Sequence, residues 1–302
     1  MKGCDISVII LSLNEEKHIR RCLESASHIT DQLFVVDCYS TDKTAEIAES
    51  LGAKIFYNNW PGLYAVQFNW ALDNLPIRTK WILRLDADEY LSPELIDEIK
   101  TELPSAPEDV SGVLVTLGRV FLGRKIKRGT TGIKLLRLFK YKYGRCEERF
   151  MDEHITLSEG KTIEFQNELV DHNLNDLGWW TQKHNGYAVR EAIDLLDTEY
   201  DLSGYLEREE NNEIGTQAAR KRSVKSGYVR MPLFLRSFMY FFYRYFIRLG
   251  FLDGKEGFLW HFLQGWWYRT LVDARIWEVK RACGNDREKI RQYINDNFHF
   301  VI

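Results

Sequence analysis

Trp81-Ile82-Leu83-Arg84-Leu85-Asp86-Ala87-Asp88-Glu89 is the stretch on which the reading of this chain turns. A hydrophobic segment of strand character runs directly into two acids separated by one residue. In a strand, residues i and i+2 face the same side, so Asp86 and Asp88 are placed to address one ligand. Two carboxylates end a core strand poorly, but they suit a hard divalent cation, which in turn holds a diphosphate. Taken alone, the acid pair reads as a solvated strand end, and its surroundings reverse that reading. Arg84 shares the face of Asp86 and is a candidate to pair with it or to approach the ligand.

Working outward, the first hundred residues alternate strand and helix. Ile6 to Leu13 is a nearly unbroken apolar run, as expected of a strand buried on both faces. Asn14 is placed to cap the helix that follows, whose inner face carries Ile19, Leu23 and Ala26. Gln32 to Asp37 is a second buried strand that ends in an acid. Ser40, Thr41 and Asp42 open a second helix, which Gly52 closes. Lys54 to Tyr57 reads as a third strand, Gln67 to Leu75 as a helix, and Ser92-Pro93 as a capped helix start. This order predicts an α/β fold with a mostly parallel central sheet flanked by helices. Ligands of such sheets bind at the carboxyl ends of the strands, where Asn14, Asp37, Asp86 and Asp88 all fall.

Residues 112 to 122 and 133 to 139 predict further strands. The basic loop Gly123 to Gly129 between them reads as a solvated turn or as a clamp on an anionic group. A short strand, Ile155 to Leu157, follows the acidic turn Met151-Asp152-Glu153-His154. After Trp179 the pattern is mostly helical.

A length of 302 residues with 45% hydrophobic content supports a large core, and a net charge of -3 argues against a nucleic-acid partner. Five scattered cysteines with no C-x-x-C suggest neither a zinc site nor a disulfide framework, and they fit a reducing compartment. No signal-peptide layout is expected, and no uncharged apolar run reaches the roughly 18 residues that span a bilayer. Composition shifts sharply toward the C-terminus. Ile214 to Leu252 holds no acid but carries Arg220, Lys221, Arg222, Lys225, Arg230, Arg236, Arg244 and Arg248. Its segment Met231 to Phe251 predicts a helix in the lipid headgroup region, with aromatics dipping in and arginines on lipid phosphates, or else an aromatic core helix. On the first reading, residues 214–252 meet an anionic membrane and the chain is cytoplasmic, peripheral at the inner face of the cell membrane.

SVIILSLNEEKHIRRCLES (7–25), VVDCYSTDKTAEIAESLGAKI (35–55) and WILRLDADEYLSPELIDEI (81–99) appear in order and at characteristic separations. Together they resemble family 2 glycosyltransferases of the GT-A fold over roughly residues 5 to 175. Trp60-x-Gly62, Gln67-x-Asn69-x-Ala71, Leu135 to Phe139 and the FLDG near Phe251 resemble bacterial enzymes of the lipopolysaccharide-core glucosyltransferase type. The resemblance implies a nucleotide-sugar half over 1–100 and an acceptor half over 101–175, and the basic, aromatic composition beyond predicts a helical extension over 176–302 that associates with membrane or oligomerises. It places Leu11, Ser12, Leu13 and Asn14 in a nucleotide-binding loop and Asp37 on the base, UDP-sugars being favoured. The second acid usual beside Asp37 is Cys38 here. Asp86 and Asp88 match the motif for Mg²⁺ or Mn²⁺ and diphosphate. Glu153 takes the position of the catalytic base, with Asp152 its rival.

The chemistry is consistent with those residues. A sugar-nucleotide bond breaks with charge building on the diphosphate, which a Lewis acid on Asp86 and Asp88 neutralises. The acceptor hydroxyl, on a glycan or lipid-linked acceptor, needs a base, and one base with one displacement inverts the anomeric carbon. His172 is a candidate third metal ligand or diphosphate contact. Two alternatives stand beside the transferase. A sugar-1-phosphate nucleotidyltransferase would need a glycine-rich basic loop where Asn14-Glu15-Glu16-Lys17 stands. A non-catalytic membrane- or partner-binding protein would have no use for the acids.

Overall fold

The computed structural model describes residues 4–129, 132–147, 154–203 and 231–300. The chain divides into two compact units, 1–175 and 176–302. The first is built on β1 (Ile6–Ser12), β2 (Leu33–Asp37), β3 (Lys54–Tyr57) and β4 (Trp81–Asp86), in the order β3-β2-β1-β4 and all parallel. Their apolar runs have a direct cause. Alternate residues enter two different cores, so neither face has room for polar groups. Ile6, Val8 and Ile10 pack with α1 (Ile19–Ser27) and α4 (Pro93–Glu102), while Ile9, Phe34, Val36 and Ile82 pack with Phe68, Ala71 and Leu72 of α3 (Tyr64–Asn74). On α1 the buried residues are Ile19, Cys22, Leu23 and Ala26, one helical stripe. Ser92 caps α4, its hydroxyl accepting from Leu95 N at 3.2 Å, with Pro93 in the first turn.

The sheet continues through β8 (Lys134–Lys140), β6 (Val110–Phe121), β11 (Lys161–His172) and β5 (Glu89–Leu91). Of these junctions only β6 with β11 is parallel, so the α/β sheet as a whole is mixed, and the expected parallel order holds for its first four strands. The basic loop expected at 123–129 contains β7 (Arg124–Ile126), which folds back antiparallel on β6. Lys125 there pairs with Glu168. Asn14 does not cap α1, which begins at Ile19 behind an N-cap, His18, whose side chain makes no capping bond to the helix. The second helix, α2 (Thr44–Ser50), starts slightly later than its polar opening suggests, because Asp42 accepts the Thr44 amide at 2.9 Å.

The second unit is helical over its described residues. α5 (Leu177–Tyr200) is capped by Asp176, which accepts from Trp179 N at 2.9 Å. Ala188, Ala192 and Leu196 of α5 share a core with Val272, Ile276 and Val279 of a long helix, Tyr268–Cys283, and with Ile290 and Ile294 of the last one, Arg287–Phe298. Between them, α6 (Leu235–Phe242) runs on into a π-helical segment, Tyr243–Ile247. Arg236 and Arg244 are almost wholly buried, at 2% and 1% exposure. Arg236 Nε donates to Asp273 at 2.7 Å, and Arg244 bonds Gln264 and lies 5.1 Å from the Tyr240 ring. The outward row is instead Leu235, Phe238, Met239, Phe242, Phe246 and Ile247, all exposed. This corrects the expectation that these arginines meet lipid phosphates: both are buried against partners inside the protein, and Arg248 alone of the three is exposed. Residues 214–230, including Arg220-Lys221-Arg222, lie outside the described residues.

Candidate active site

Strand register brings four of the predicted residues, Leu11, Ser12, Asp37 and Asp86, to one edge. Ser12 stands opposite Asp37 across β1–β2, and Leu11 stands opposite Asp86 across β1–β4. The loops leaving β1 and β2 are fastened to each other by side chains. Asp37 is fully buried and accepts from Ser12 Oγ (2.7 Å), Ser40 N (2.6 Å) and Ser40 Oγ (2.6 Å). Asn14, at φ +56°, donates its amide to Ser40 Oγ at 2.8 Å and accepts from Thr41 N at 2.8 Å. Asn tolerates this left-handed conformation better than most residues. Glu15 N reaches Thr44 Oγ1 at 2.7 Å and Glu16 N reaches Asp42 at 3.1 Å. Burial pulls the Asp42 carboxyl upward, but its bonds from Thr44 and Glu16 outweigh that and leave it below the usual range. Leu13 is exposed at the tip of the first loop, and Leu11 is half-buried behind it.

β4 ends at Asp86, so Asp88 lies in the turn leading to β5 and strand alternation is not what places it. Asp88 is set by its neighbours. Its carboxylate accepts from Asn173 Nδ2 at 3.0 Å, and its carbonyl accepts from His172 N at 3.1 Å and from Arg21 at 3.3 Å. Asp86, with its side chain 40% exposed, accepts from Arg137 at 3.0 Å, and Arg84 lies 3.6 Å away. Arg84 itself is buried over the Phe68 ring, with a guanidinium bond to Cys146 Sγ at 3.4 Å. These half-exposed carboxylates offer the oxygen ligands that hard divalent cations take. Among the described residues, no group of three or more His, Cys, Asp or Glu side chains is arranged to hold a metal ion.

Beneath the pair sits Glu89, 3% exposed, taking Arg137 at 2.7 Å and the Asp86 amide at 2.9 Å. Burial pushes Glu89 up to about 8, against the pull of Arg137 and with the push of Asp86. In the unfolded chain it ionises near 4.5. Between these values the folded chain keeps a proton that the unfolded chain has released. The associated stability is therefore fully present below the lower value and is lost as pH rises through the upper one. Urea midpoints are expected to fall between pH 5 and pH 8.5, and Glu89→Gln is expected to flatten that slope. Equal slopes in parent and variant would refute the assignment to Glu89.

His172 ends β11 against Asp88, and its Nδ1 faces the Arg21 guanidinium at 2.9 Å. Arginine only donates, so Nδ1 accepts and Nε2 carries the ring proton. Burial, then Arg21 and His18, hold the imidazole below its usual range, so it stays neutral. A metal-bound histidine gives its second ring N–H to an acceptor, and here that nitrogen meets a donor. Arg21, Asn173, Glu89 and Arg137 escaped sequence reasoning. Only Arg137 carried a signal, a lone cation inside the apolar strand Leu135 to Phe139.

On the far side, Asn69 holds the backbone of Cys146 at both ends, its Nδ2 donating to Cys146 O and its Oδ1 accepting from Cys146 N, each at 2.9 Å. Gln67, two residues earlier, bonds Cys38 Sγ at 3.3 Å and Asn58 at 2.7 Å. β9 (Gly144–Cys146) pairs antiparallel with β10 (Ile155–Leu157), and Glu147 N bonds His154 O at 2.9 Å. Asp152 and Glu153 lie outside the described residues.

Residues 7–157 match the model of the glycosyl transferase family 2 domain. A protein of Rickettsia bellii described as an uncharacterized glycosyltransferase is 28% identical over 84% of this chain and 80% of its own length. The lipopolysaccharide core biosynthesis glycosyltransferase LpsC of Rhizobium meliloti is 33% identical over 35% of this chain and 40% of its own. Among solved structures, the mannosyltransferase PcManGT of Pyrobaculum calidifontis, in complex with GDP-Man and Mn²⁺, aligns with a TM-score of 0.52 at 14% identity. That alignment covers 92% of this chain and 88% of that one, and it bears on the fold alone.

Proposed function

The chain belongs to glycosyl transferase family 2, and on that premise we propose an inverting transferase. It moves a sugar from a nucleotide-sugar donor, UDP-sugars favoured, to a hydroxyl of a cell-surface glycan or glycolipid, in lipopolysaccharide or polysaccharide assembly. The observation that carries this reading is the edge where Asp86 and Asp88 stand beside the fastened loops 12–16 and 37–44. Leu11, Ser12, Leu13 and Asn14 line the donor's path along β1, and Asp37 shapes it by holding Ser12 and Ser40. Asp86 and Asp88 would hold Mg²⁺ or Mn²⁺, whose fit rests on their all-oxygen donor set with remaining positions left to phosphate and water. Bound there, the ion would supply Lewis-acid neutralisation of the departing diphosphate. His172, with its proton on Nε2, is assigned as a hydrogen-bond donor to that diphosphate rather than as a metal ligand. Arg84 keeps Asp86 oriented from below. Glu153, with Asp152 as its rival, accepts the proton of the acceptor hydroxyl.

Thermal melting against a panel of nucleotide sugars, with and without Mn²⁺, tests the donor assignment. A true donor at 100 times its Kd adds about 2.7 kcal/mol of stability, a rise of several degrees. A panel that shifts nothing in the presence of Mn²⁺ sinks the reading.

The same enzyme is proposed to act peripherally at the cytoplasmic face of the cell membrane. Among the described residues no helix is long and apolar enough to cross a bilayer. The outward row from Leu235 to Ile247, with exposed Arg248 beside it, suits shallow insertion into an anionic surface. Because apolar side chains face out and two arginines face in, co-sedimentation with phosphatidylglycerol-containing vesicles is expected to persist in about 0.5 M salt, where the Debye length shrinks to roughly 4 Å and surface charge attraction is screened. Phe242→Ser with Ile247→Ser is expected to weaken it by about tenfold or more. Vesicle binding that vanishes with salt, or survives the double substitution, argues against insertion of this row.

A further inference from the structure

Tyr39 stands at φ +60°, in the left-handed region that aromatic residues rarely enter. Such strain persists only where the surroundings enforce it, and it tends to collect at functional sites. The side chain gains no burial in exchange, since it is 56% exposed. Its ring stacks on Tyr57, also exposed, with centroids 5.3 Å apart and planes 26° from parallel. Tyr57 ends β3 in register with Asp37, so the stacked pair borders the same strand-end edge as the acids. The backing is firm: Ser40, next to Tyr39, is tied twice to Asp37, and Asn58, next to Tyr57, donates its amide to the Asp37 carbonyl at 3.2 Å. Asp37 is meanwhile fully buried, with both carboxylate oxygens already accepting from Ser12 and Ser40.

We propose that Tyr39, backed by Tyr57, is the stacking platform for the base of the nucleotide donor, and that the base is held by its flat face rather than read by the Asp37 carboxylate. This rests on the nucleotide-sugar reading above and deepens it. Stacking is tolerant of base identity because every base has a π face. Hydrogen-bond reading is not, since a mismatched base leaves a buried polar group unpaired. The platform therefore keeps any preference for uracil over guanine nucleotides small, within about tenfold, and leaves most of the selectivity to the sugar.

Calorimetric titration of UDP and of GDP in Mn²⁺ tests this on the full chain. For the parent, the two Kd values fall within about tenfold of each other. Tyr39→Gly, which relieves the strained φ, weakens both nucleotides roughly 5- to 100-fold, while the melting temperature stays level or rises. Tyr39→Phe retains binding, and Tyr57→Ala weakens it without needing any change at the strained position. A role confined to folding gives the opposite pattern, a lower melting temperature with unchanged affinity, and overturns the proposal. So does a parent that prefers UDP over GDP by more than about 100-fold, or a Tyr39→Gly variant that binds nucleotide normally and loses only acceptor turnover. A parent that binds neither nucleotide removes the donor assignment itself, whereas binding that is indifferent to Tyr39 and Tyr57 removes the platform alone.

Discussion

Asp88→Ala is expected to lower sugar transfer by roughly 10³-fold, the equivalent of several kcal/mol of lost charge stabilisation, and to leave the fold intact. The separation of the two effects follows from how the turn is held. The bonds that fix its position run to the backbone carbonyl of Asp88, from His172 N and Arg21, and alanine keeps that carbonyl. The carboxylate gives up its bond from Asn173, worth about 1 kcal/mol in a half-exposed setting. Asp86 offers no such clean test. Removing it strips a partner from Arg137 and changes the surroundings of buried Glu89, so folding and catalysis would fall together. Product formation measured over a range of Mn²⁺ concentrations, alongside melting curves, separates the outcomes. If Asp88→Ala transfers sugar at the parental rate, the acid pair does not serve the diphosphate. If it fails to fold, the turn is structural and the site must be sought elsewhere.

The parallel half of the sheet was legible because burial on both faces forces unbroken apolar runs, and Ser92-Pro93 was legible because capping is local chemistry. Asp86 and Asp88 were legible as a pair, although the reason was only half right: Asp86 closes the strand, while Asp88 is held in a turn by Arg21, His172 and Asn173, partners 67 or more positions away. No periodicity reports such a contact. Asn14 carried a helix-cap signature, yet the side chain found Thr41 on the neighbouring loop, because the same oxygen serves any amide brought within reach. The helical stretch from Leu235 to Ile247 gives the sharpest case. Arg236 and Arg244, eight residues apart, share one helical face, and the aromatic row shares the other. The sequence displays two faces without saying which turns inward. The answer depends on Asp273, 37 positions downstream of Arg236, whose carboxylate draws that arginine into the interior.

Glu153→Gln is expected to reduce kcat by about 10²–10⁴-fold, the usual contribution of a positioned base, with donor KM little changed and with Asp152→Asn the milder of the two. The argument comes from the chain on either side of these residues. Glu147 and His154 are joined through their backbones, so the strand that leaves at Cys146 returns beside it. Cys146 is gripped by Asn69 and touched by Arg84, and Arg84 lies 3.6 Å from Asp86. The described residues that flank the two acids, Cys146 and Glu147 on one side and His154 on the other, are therefore tied to the strand that ends at the proposed diphosphate site. A carboxylate delivered from that anchor can take the acceptor's proton while the sugar-phosphate bond breaks. One base and one displacement leave the anomeric centre inverted, which the proton coupling constant of the isolated product reads directly. Glu153→Gln should also remove the acid limb of the pH profile of kcat, since glutamine has no proton to lose, whereas a residue that only shapes the loop would lower the whole profile evenly. If Asp152→Asn shows the larger loss and the missing limb, the roles exchange. If neither substitution slows transfer, or if the product retains its configuration, the single-base mechanism is wrong.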